Sequence, residues 1–396
     1  AALAAGRHAL PRRLTAPRRP DVARSPLPRF DLLGSRRYHS MGVQWSRGCP
    51  FTCEFCDIIE LYGRVPRFKG EAQLLAELEA IRRIGHRGAV FIVDDNFIGN
   101  KAAAKGLLRA LAAWMAARGH PFDLYTEASI NLARDEELLD LMVAAGFSQV
   151  FIGIETPSKE ALRETHKLQN ARVDLDAAVQ TIAAHGIEVM AGFIVGFDAD
   201  DGAAVSRQRE WILRSPIPLA MSGLLMALPG TQLDRRLRRE GRMRERSGGD
   251  NFARPNFVTR HDEAEILEQY ARLLEDIYEP RNLYARGSRS LELCPTDPRR
   301  YRRPFVDNMR FLFASLWHQG VRGRNRAEYW RFLGRTLLRS PQRIGRAVAL
   351  AIQEAHFYRY THEDVLPALR RAIAAARGEA AAPAEAAVPT PAIAAA

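Results

Sequence analysis

Between residues 41 and 230 the chain repeats one unit, a short apolar run followed by a helical pattern that closes at a glycine. The apolar runs are GVQWS (42–46), AVFIV (89–93), FDLYTEASI (122–130), QVFIGIE (149–155), EVMAGFIVGF (188–197) and LAMSGLLMAL (219–228). Glycines stand where helix C-caps belong, at Gly85, Gly119, Gly146 and Gly186. Apolar strands separated by helices indicate a parallel sheet covered by helices. Six of them predict an α/β fold, either a partial (βα)6 barrel or an open sheet.

Polar residues follow several of these strands. They are Asp94, Asp95 and Asn96 after the second, Glu127 and Ser129 on the third, and Glu155 and Thr156 on the fourth. The alternative is that each is merely a helix N-cap, a role that Asp and Ser favour. The carboxyl ends of parallel strands share one edge, where ligands bind in such sheets. The set therefore predicts the lip of a functional site.

The cysteines are concentrated in SRGCPFTCEFCDI, residues 46–58, which holds Cys49, Cys53 and Cys56; the rest of the chain holds only Cys294. Such close neighbours cannot tie distant segments together, so metal-binding thiolates in a reducing, cytosolic setting fit better than disulfides. A structural zinc site takes four nitrogen or sulfur ligands, and this loop offers neither a second cysteine pair nor a histidine. An iron–sulfur cluster with one iron open to a small molecule is the better match, with zinc as the alternative.

CPFTCEFC resembles the CxxxCx(aromatic)C motif of the radical S-adenosylmethionine (SAM) superfamily. The resemblance implies that Cys49, Cys53 and Cys56 bind a [4Fe–4S] cluster whose free iron chelates the amino and carboxylate groups of SAM. It also implies that one electron cleaves SAM to methionine and a 5′-deoxyadenosyl radical. In such enzymes the cofactor supplies the chemistry, and the protein positions it.

Further positions can be compared with the family's motifs one at a time. Phe55 matches the aromatic residue beside the adenine, and Glu155 matches the ribose-binding position, with Glu127 as the other candidate for that contact. The second motif departs from the family's usual pattern and reads DDNF. We expect Asp94, Asp95 and Asn96 at the place that holds the SAM amino group.

The fifth strand carries GFIVGFD, which resembles the family's GxIxGx(acid) motif. The resemblance implies that Gly192, Ile194 and Gly196 back the adenine, and that LPGT (228–231) closes its pocket. Arg64 or Arg67 is the candidate for the SAM carboxylate. The sequence assigns no catalytic residue.

A narrower resemblance covers roughly residues 28–360. The stretch from Arg29 to Arg67 is similar to the linker and cluster loop of cobalamin-dependent radical SAM proteins, and residues 256–286 are similar to the domain of unknown function in the branch that includes the hopanoid methylase. In that branch a cobalamin-binding domain precedes the linker. We expect that domain to lie outside this chain, and any cobalamin to be held through it.

Three functions follow as hypotheses. The leading one is a radical SAM enzyme, with cobalamin-dependent methylation of an unactivated carbon in the narrower branch. It would act on a small molecule or lipid and take electrons from a donor such as flavodoxin or ferredoxin. The second is radical SAM oxidation or rearrangement without cobalamin. The third is a zinc-containing protein that binds nucleic acid, suggested by a formal charge of +12. An arginine-rich solvated surface explains that charge more simply.

The predicted domains are a partly disordered linker at 1–40, a radical SAM core at 41–255, a helical domain at 256–375 and a disordered Ala/Pro-rich tail at 376–396. No apolar run is long enough to predict a membrane span. Residues 327–361 form a basic amphipathic pattern, which favours a helical cap on the barrel and is also compatible with a membrane surface. The expected location is the cytoplasm, with peripheral contact at the inner membrane face as the compatible variant.

Overall fold

The computed structural model describes residues 19–34, 38–244, 252–295, 301 and 305–378, without the side chains at positions 305 and 307. Most of the predicted linker and nearly all of the predicted disordered tail lie outside these residues. The described part of the linker packs on the sheet domain, where Phe30 joins the hydrophobic core and Ser25 accepts a hydrogen bond of 2.8 Å from Gln73.

The sheet has six parallel strands. They are β1 (Ser40–Val43), β2 (Gly88–Ile92), β3 (Phe122–Glu127), β4 (Phe147–Glu155), β5 (Glu188–Val195) and β6 (Ala220–Leu224). Each strand pairs with its neighbours in sequence order, so β1 and β6 form the two edges. The predicted parallel α/β sheet is confirmed, and in the part of the chain that the structure describes it is not closed into a full barrel.

A second, two-stranded ribbon lies beside β1. Ser46–Arg47 pairs with Arg67–Phe68 in antiparallel register and so brings the two ends of the cysteine loop together. The loop itself contains α1 (Ile58–Tyr62). The first predicted strand (42–46) therefore ends earlier than expected, because the chain leaves the sheet after Val43 to form this ribbon.

Helices cover the sheet between successive strands. They are α2 (Glu71–Arg83), α3 (Lys101–Ala116), α4 (Glu136–Ala144), α5 (Lys159–Glu164), α6 (Leu168–Ala171), α7 (Leu175–Ala184) and α8 (Ala204–Arg214), and α9 (Gln232–Arg239) follows β6. Asn100, Asp135 and Asp174 cap the starts of α3, α4 and α7 with their side chains. The polar residues that directly follow β2 do not take this role, which leaves them at the edge of the sheet.

The C-terminal region is helical, as predicted. It consists of α10 (Glu263–Tyr278), α11 (Pro280–Leu293), α12 (Phe305–Ser315), α13 (Arg326–Arg339), α14 (Ile344–Tyr360) and α15 (Leu366–Ala376), with π-helical turns at Leu316–Val321 and Thr361–Val365. Buried side chains of these helices and of the sheet form one continuous hydrophobic core.

Helices α10 and α11 hold the edge of the sheet at β6 through polar contacts. The hydroxyls of Tyr270 and Tyr278 donate to the carbonyls of Ser222 and Ala220 at 2.7 Å and 2.9 Å. Arg286, which is fully buried, donates to the carbonyl of Ile217 just before the strand, at 3.0 Å. An edge strand is thereby covered rather than left open for pairing with another chain. No helix among the described residues is long and apolar enough to cross a membrane.

Candidate functional site

The three clustered cysteines lie on one loop at the carboxyl edge of the sheet. All are free thiols, with Cys53 buried and Cys49 and Cys56 partly buried. Two amide side chains reach their sulfurs: Asn96 Nδ2 lies 3.8 Å from Cys49 Sγ and Gln169 Nε2 lies 3.6 Å from Cys53 Sγ. Cys294 lies elsewhere, at the end of α11.

Burial disfavours the thiolate form of two of these cysteines. It raises the pKa of Cys49, and it raises the pKa of Cys56 to about 12. Metal ligation requires thiolates, so loading this loop would release protons. Within the described residues, no group of three His, Cys, Asp or Glu side chains is arranged to hold a single metal ion.

Asp94 fixes the start of the cysteine loop. One carboxylate oxygen accepts from the backbone N–H of Trp45 at 2.8 Å, and the other accepts from the N–H and hydroxyl of Ser46 at 2.9 Å and 2.6 Å. Burial raises the pKa of Asp94 to about 6, against these hydrogen bonds. Both oxygens are therefore committed to the protein, and of the three DDNF polar residues Asp94 is the one built into the scaffold.

The other two polar residues of that motif face the loop and the next strand. Asn96 links Cys49 to Ser129, whose N–H donates to Asn96 Oδ1 at 3.1 Å. The N–H of Gly48 donates to Asp95 at 3.4 Å. Glu127 accepts no side-chain hydrogen bond from any described residue, and burial, helped by the charge of Asp95, raises its pKa to about 7. Asp95 and Glu127 are thus two partly buried carboxylates at this edge of the sheet.

Glu155 ends β4 in the left-handed backbone region, with φ of 66°. Its carboxylate forms a buried ion pair with Lys167, and the Lys167 ammonium lies 5.7 Å from the centre of the Phe55 ring. Burial opposes the charge on Lys167, but Glu155 and then the sulfur of Cys53 raise its pKa. A methyl group at Gly153 would lie 2.7 Å from the Lys167 ammonium, so a side chain at this position would displace the ion pair.

Lys167 is the main functional candidate that sequence reasoning missed. It lies between α5 and α6, twelve residues after Glu155, in a stretch without hydrophobic periodicity. The residues predicted for the carboxylate contact are engaged elsewhere: Arg64 donates to the carbonyl of Pro50 at 3.4 Å and Arg67 to that of Tyr62 at 3.1 Å.

Of the residues predicted to back the adenine, the structure brings Ile194 near Phe55, whereas Gly192 faces Phe151 and Gly196 faces Ile266. The Phe55 and Phe197 ring centres are 6.2 Å apart, and Ile194 packs against the same small apolar cluster. At Gly192 a methyl group would lie 2.9 Å from the Phe151 ring, and Gly196 has a positive φ of 97°. Thr231, at the end of LPGT, caps α9.

An apolar cavity of about 580 Å³ begins at Phe55 and extends under the C-terminal helices. Its walls come from β5, β6 and the segment after β6, and from C-terminal residues that include Phe252, Leu274, Tyr278, Phe357 and Tyr360. Ser222 lines the cavity, and its buried hydroxyl has no hydrogen-bond partner among the described residues. The cavity therefore suits a largely apolar ligand that carries a polar group.

A salt-bridge network ties the cysteine loop to α9. Arg236 contacts buried Glu54, between the cysteines, through Nε at 2.7 Å and Nη2 at 3.2 Å. It also contacts Asp198 at 2.8 Å, which Arg242 contacts at 2.6 Å. Burial opposes ionisation, but the two arginines lower the pKa of Asp198 to about 2. The arginine-rich sequence around α9 does not by itself predict these ion pairs.

Comparison with known proteins matches this chain to two families and to several individual proteins. Residues 43–204 match the radical SAM superfamily, and residues 231–366 match a domain of unknown function, DUF4070. A protein of Synechocystis described as an uncharacterized methyltransferase is 41% identical over 351 residues, which is 88% of this chain and 66% of that protein. The hopanoid C-2 methylase of Rhodopseudomonas palustris is 37% identical over 81% of this chain and 61% of that protein.

A solved structure has the same fold at low sequence identity. It is the radical SAM methyltransferase TsrM of Kitasatospora setae with cobalamin and a [4Fe–4S] cluster bound, at a TM-score of 0.51 and 16% identity over 81% of this chain and 62% of that chain. The present chain spans less than two-thirds of the length of these relatives.

Proposed function

We propose a function from one premise: the chain belongs to the radical SAM superfamily. Membership implies SAM and a [4Fe–4S] cluster as cofactors. The enzyme would cleave SAM reductively and methylate an unactivated carbon. The observation that carries this proposal is the set of three free thiols at the carboxyl edge of the sheet, beside the buried Glu155–Lys167 pair.

The donor set on the loop fits the cluster. Cys49, Cys53 and Cys56 supply three sulfurs and leave a fourth iron for SAM. Asn96 and Gln169 direct N–H groups at two of these sulfurs, and such contacts orient ligands and tune a metal centre. When bound and reduced, the cluster would supply the electron that splits SAM into methionine and a 5′-deoxyadenosyl radical.

The surrounding side chains would position SAM. Lys167 would attract its carboxylate, because this buried ammonium lies next to Phe55 and its pKa is raised, so it is charged at neutral pH. Glu155 would accept from the ribose hydroxyls, and Asp95 with Glu127 would attract the amino group. Phe55, Gly192, Ile194 and Gly196 would hold the adenine in an apolar slot that excludes water. Asp94 would act indirectly by fixing the loop.

Cobalamin is proposed as the methyl carrier. The proposal rests on the similarity to a hopanoid methylase and on the shared fold with TsrM, whose structure contains cobalamin. A carbon radical formed on the substrate needs a methyl donor, and methylcobalamin would be that donor.

The substrate is proposed to be an apolar molecule or lipid with one polar group. The apolar cavity runs from Phe55 to the C-terminal helices, and the unpartnered Ser222 hydroxyl offers one hydrogen bond inside it. A reduced protein such as flavodoxin or ferredoxin would supply electrons. We place the enzyme in the cytoplasm, where thiols stay reduced, with peripheral contact at the inner membrane face.

The test is cluster assembly in cysteine variants. Cys53→Ala, reconstituted anaerobically, should lose most of its iron and should release no 5′-deoxyadenosine from SAM under reduction. Cys294→Ala is the matched control and should keep both. Full iron content in Cys53→Ala would refute the cluster assignment, and zinc in place of iron in the native protein would refute the enzyme class.

A further inference from the structure

The outer side of α12 carries an apolar stripe that faces solvent. Val306, Phe313 and Trp317 are 75%, 65% and 53% exposed. Val306 and Phe313 stand at positions i and i+7 of α12, on one side of the helix, and Trp317 follows in the π-helical turn that continues it. Arg310 falls on the same stripe between the first two. Scattered exposed apolar residues need no explanation, but an aligned set of this size does.

Helix α13 carries further exposed apolar side chains. The Trp330 indole N–H donates to the carbonyl of Gly320 at 2.9 Å, which fixes its ring beside the π-helical turn that follows α12. Leu337 and Leu338 are 53% and 89% exposed. The core side of α13 is formed by other residues, including buried Phe332, so packing of the helix does not require these outward side chains.

The same region is strongly cationic. Residues 305–343 contain eight arginines against two carboxylates, Asp307 and Glu328. We define the α12–α13 face as the outward residues Val306, Arg310, Phe313, Trp317, Trp330, Arg335, Leu337 and Leu338. Aromatic and aliphatic side chains flanked by arginine are typical of helices that lie in the headgroup layer of a membrane.

We propose that the α12–α13 face binds the surface of an anionic lipid bilayer. Its most exposed side chains, Leu338 and Val306, project from the surface, which suits insertion among lipids better than the buried pockets that anchor protein partners. The arginines would contact lipid phosphates.

Such docking would bring the wall of the apolar cavity near the lipid. Helix α14 packs against both α12 and α13, and its Phe357 and Tyr360 line that cavity. An apolar substrate would then reach the cavity without crossing water, a consequence that rests on the proposed function.

The experiment is co-sedimentation of the full chain with vesicles of phosphatidylcholine alone or mixed with phosphatidylglycerol. The chain should bind the mixed vesicles, and added salt should weaken binding. Phe313→Ser/Trp317→Ser and Arg310→Glu/Arg335→Glu should each weaken it by about tenfold or more. The controls Leu32→Ser and Arg83→Glu change an exposed leucine and an exposed arginine outside the face and should bind like wild type.

Three sedimentation results would overturn the proposal: binding to neither vesicle, equal binding to both, or equal losses in the face and control variants. A dimer in light scattering that Phe313→Ser/Trp317→Ser converts to monomer would assign the face to a second copy of the chain instead. Sedimentation needs no turnover, so failure here leaves the proposed reaction standing, and loss of SAM cleavage leaves this proposal standing.

Discussion

At the residue scale, the buried Glu155–Lys167 ion pair has two roles: it stabilises the fold and, in the proposed function, it binds SAM. Lys167→Met would leave Glu155 as an uncompensated buried charge, which costs about 3–5 kcal/mol of stability. If the ammonium also holds the SAM carboxylate, SAM affinity should fall by about tenfold or more, the equivalent of a charged hydrogen bond of about 1.5–3 kcal/mol. Equilibrium dialysis of SAM against the reconstituted protein measures the second effect.

The double variant Lys167→Met/Glu155→Gln separates the effect on stability from the effect on SAM binding. It removes both charges, so the free energy of unfolding should return most of the way to wild type. SAM affinity should remain low, because neither proposed contact is restored. Recovery of both stability and SAM affinity would show that the pair is purely structural.

The site was predictable where its chemistry is local in sequence. Cys49, Cys53 and Cys56 stand in one motif, and Glu155 follows a strand that its own apolar run defines. Lys167 was not predictable, because its position depends on how the chain between α5 and α6 folds back over Glu155. Asp94 was predicted to lie at the carboxyl edge of the sheet, but only the structure shows that its oxygens accept hydrogen bonds from Trp45 and Ser46.

At the scale of elements, α9 acts as a clamp on the cysteine loop. Arg236→Ala would leave Glu54, which is 5% exposed, without its partner. We expect a loss of about 3–5 kcal/mol in the free energy of unfolding and faster loss of iron to a chelator, since the loop is released. Urea denaturation of the anaerobic protein and a chelator challenge measure these two effects.

The matched control is Arg239→Ala on the same helix. Arg239 is exposed and donates to the carbonyl of Arg235 at 3.3 Å, so its loss should change the free energy of unfolding by only about 0.5 kcal/mol or less. Similar small losses in both variants would contradict the clamp. The ion pair between Arg236 and Glu54 could not be predicted. The sequence of α9 is typical of a solvated, arginine-rich helix, and the two residues are 182 positions apart.

The packing of α14 on α11 makes stability depend on pH. Glu354 is buried, accepts a hydrogen bond of 2.8 Å from Tyr284, and has its pKa raised to about 7 by burial. Its unfolded value is about 4.3, so between these values the folded protein holds a proton that the unfolded chain has lost. Stability from this group is full below pH 4.3 and is lost as the pH rises to about 7.

Glu354→Gln should therefore remove a decline on the order of 2–3 kcal/mol between pH 4.5 and 8, seen in urea midpoints at the two pH values. Glu363→Gln is the control, because Glu363 is exposed and should leave the decline unchanged. A wild-type protein whose stability rises over this range, or an unaltered decline in Glu354→Gln, would contradict the assignment.

At the scale of the whole molecule, the sequence predicted two domains with a boundary at 255, because the resemblance to the C-terminal domain of unknown function begins at residue 256. That boundary stays a prediction. The contacts that cross it could not be predicted, since the hydroxyls of Tyr270 and Tyr278 and the guanidinium of Arg286 find their carbonyls only once α10 and α11 lie along β6. These contacts and the continuous core join the sheet and the C-terminal helices energetically.

We therefore expect the full chain to unfold in one transition and a chain ending at residue 255 not to fold. Loss of α10 alone removes Leu267, Leu273, Leu274 and Ile277 from the core, at about 1.5–3 kcal/mol each, which is comparable to the total stability of about 5–15 kcal/mol. In the double variant Trp317→Phe/Trp330→Phe, tryptophan fluorescence reports only on the unfolding of the sheet domain. Far-UV circular dichroism reports on the unfolding of all helices. The two urea curves should coincide. Separate midpoints, or cooperative unfolding of the shortened chain, would show instead that the sheet is stable without the helices that cover β6.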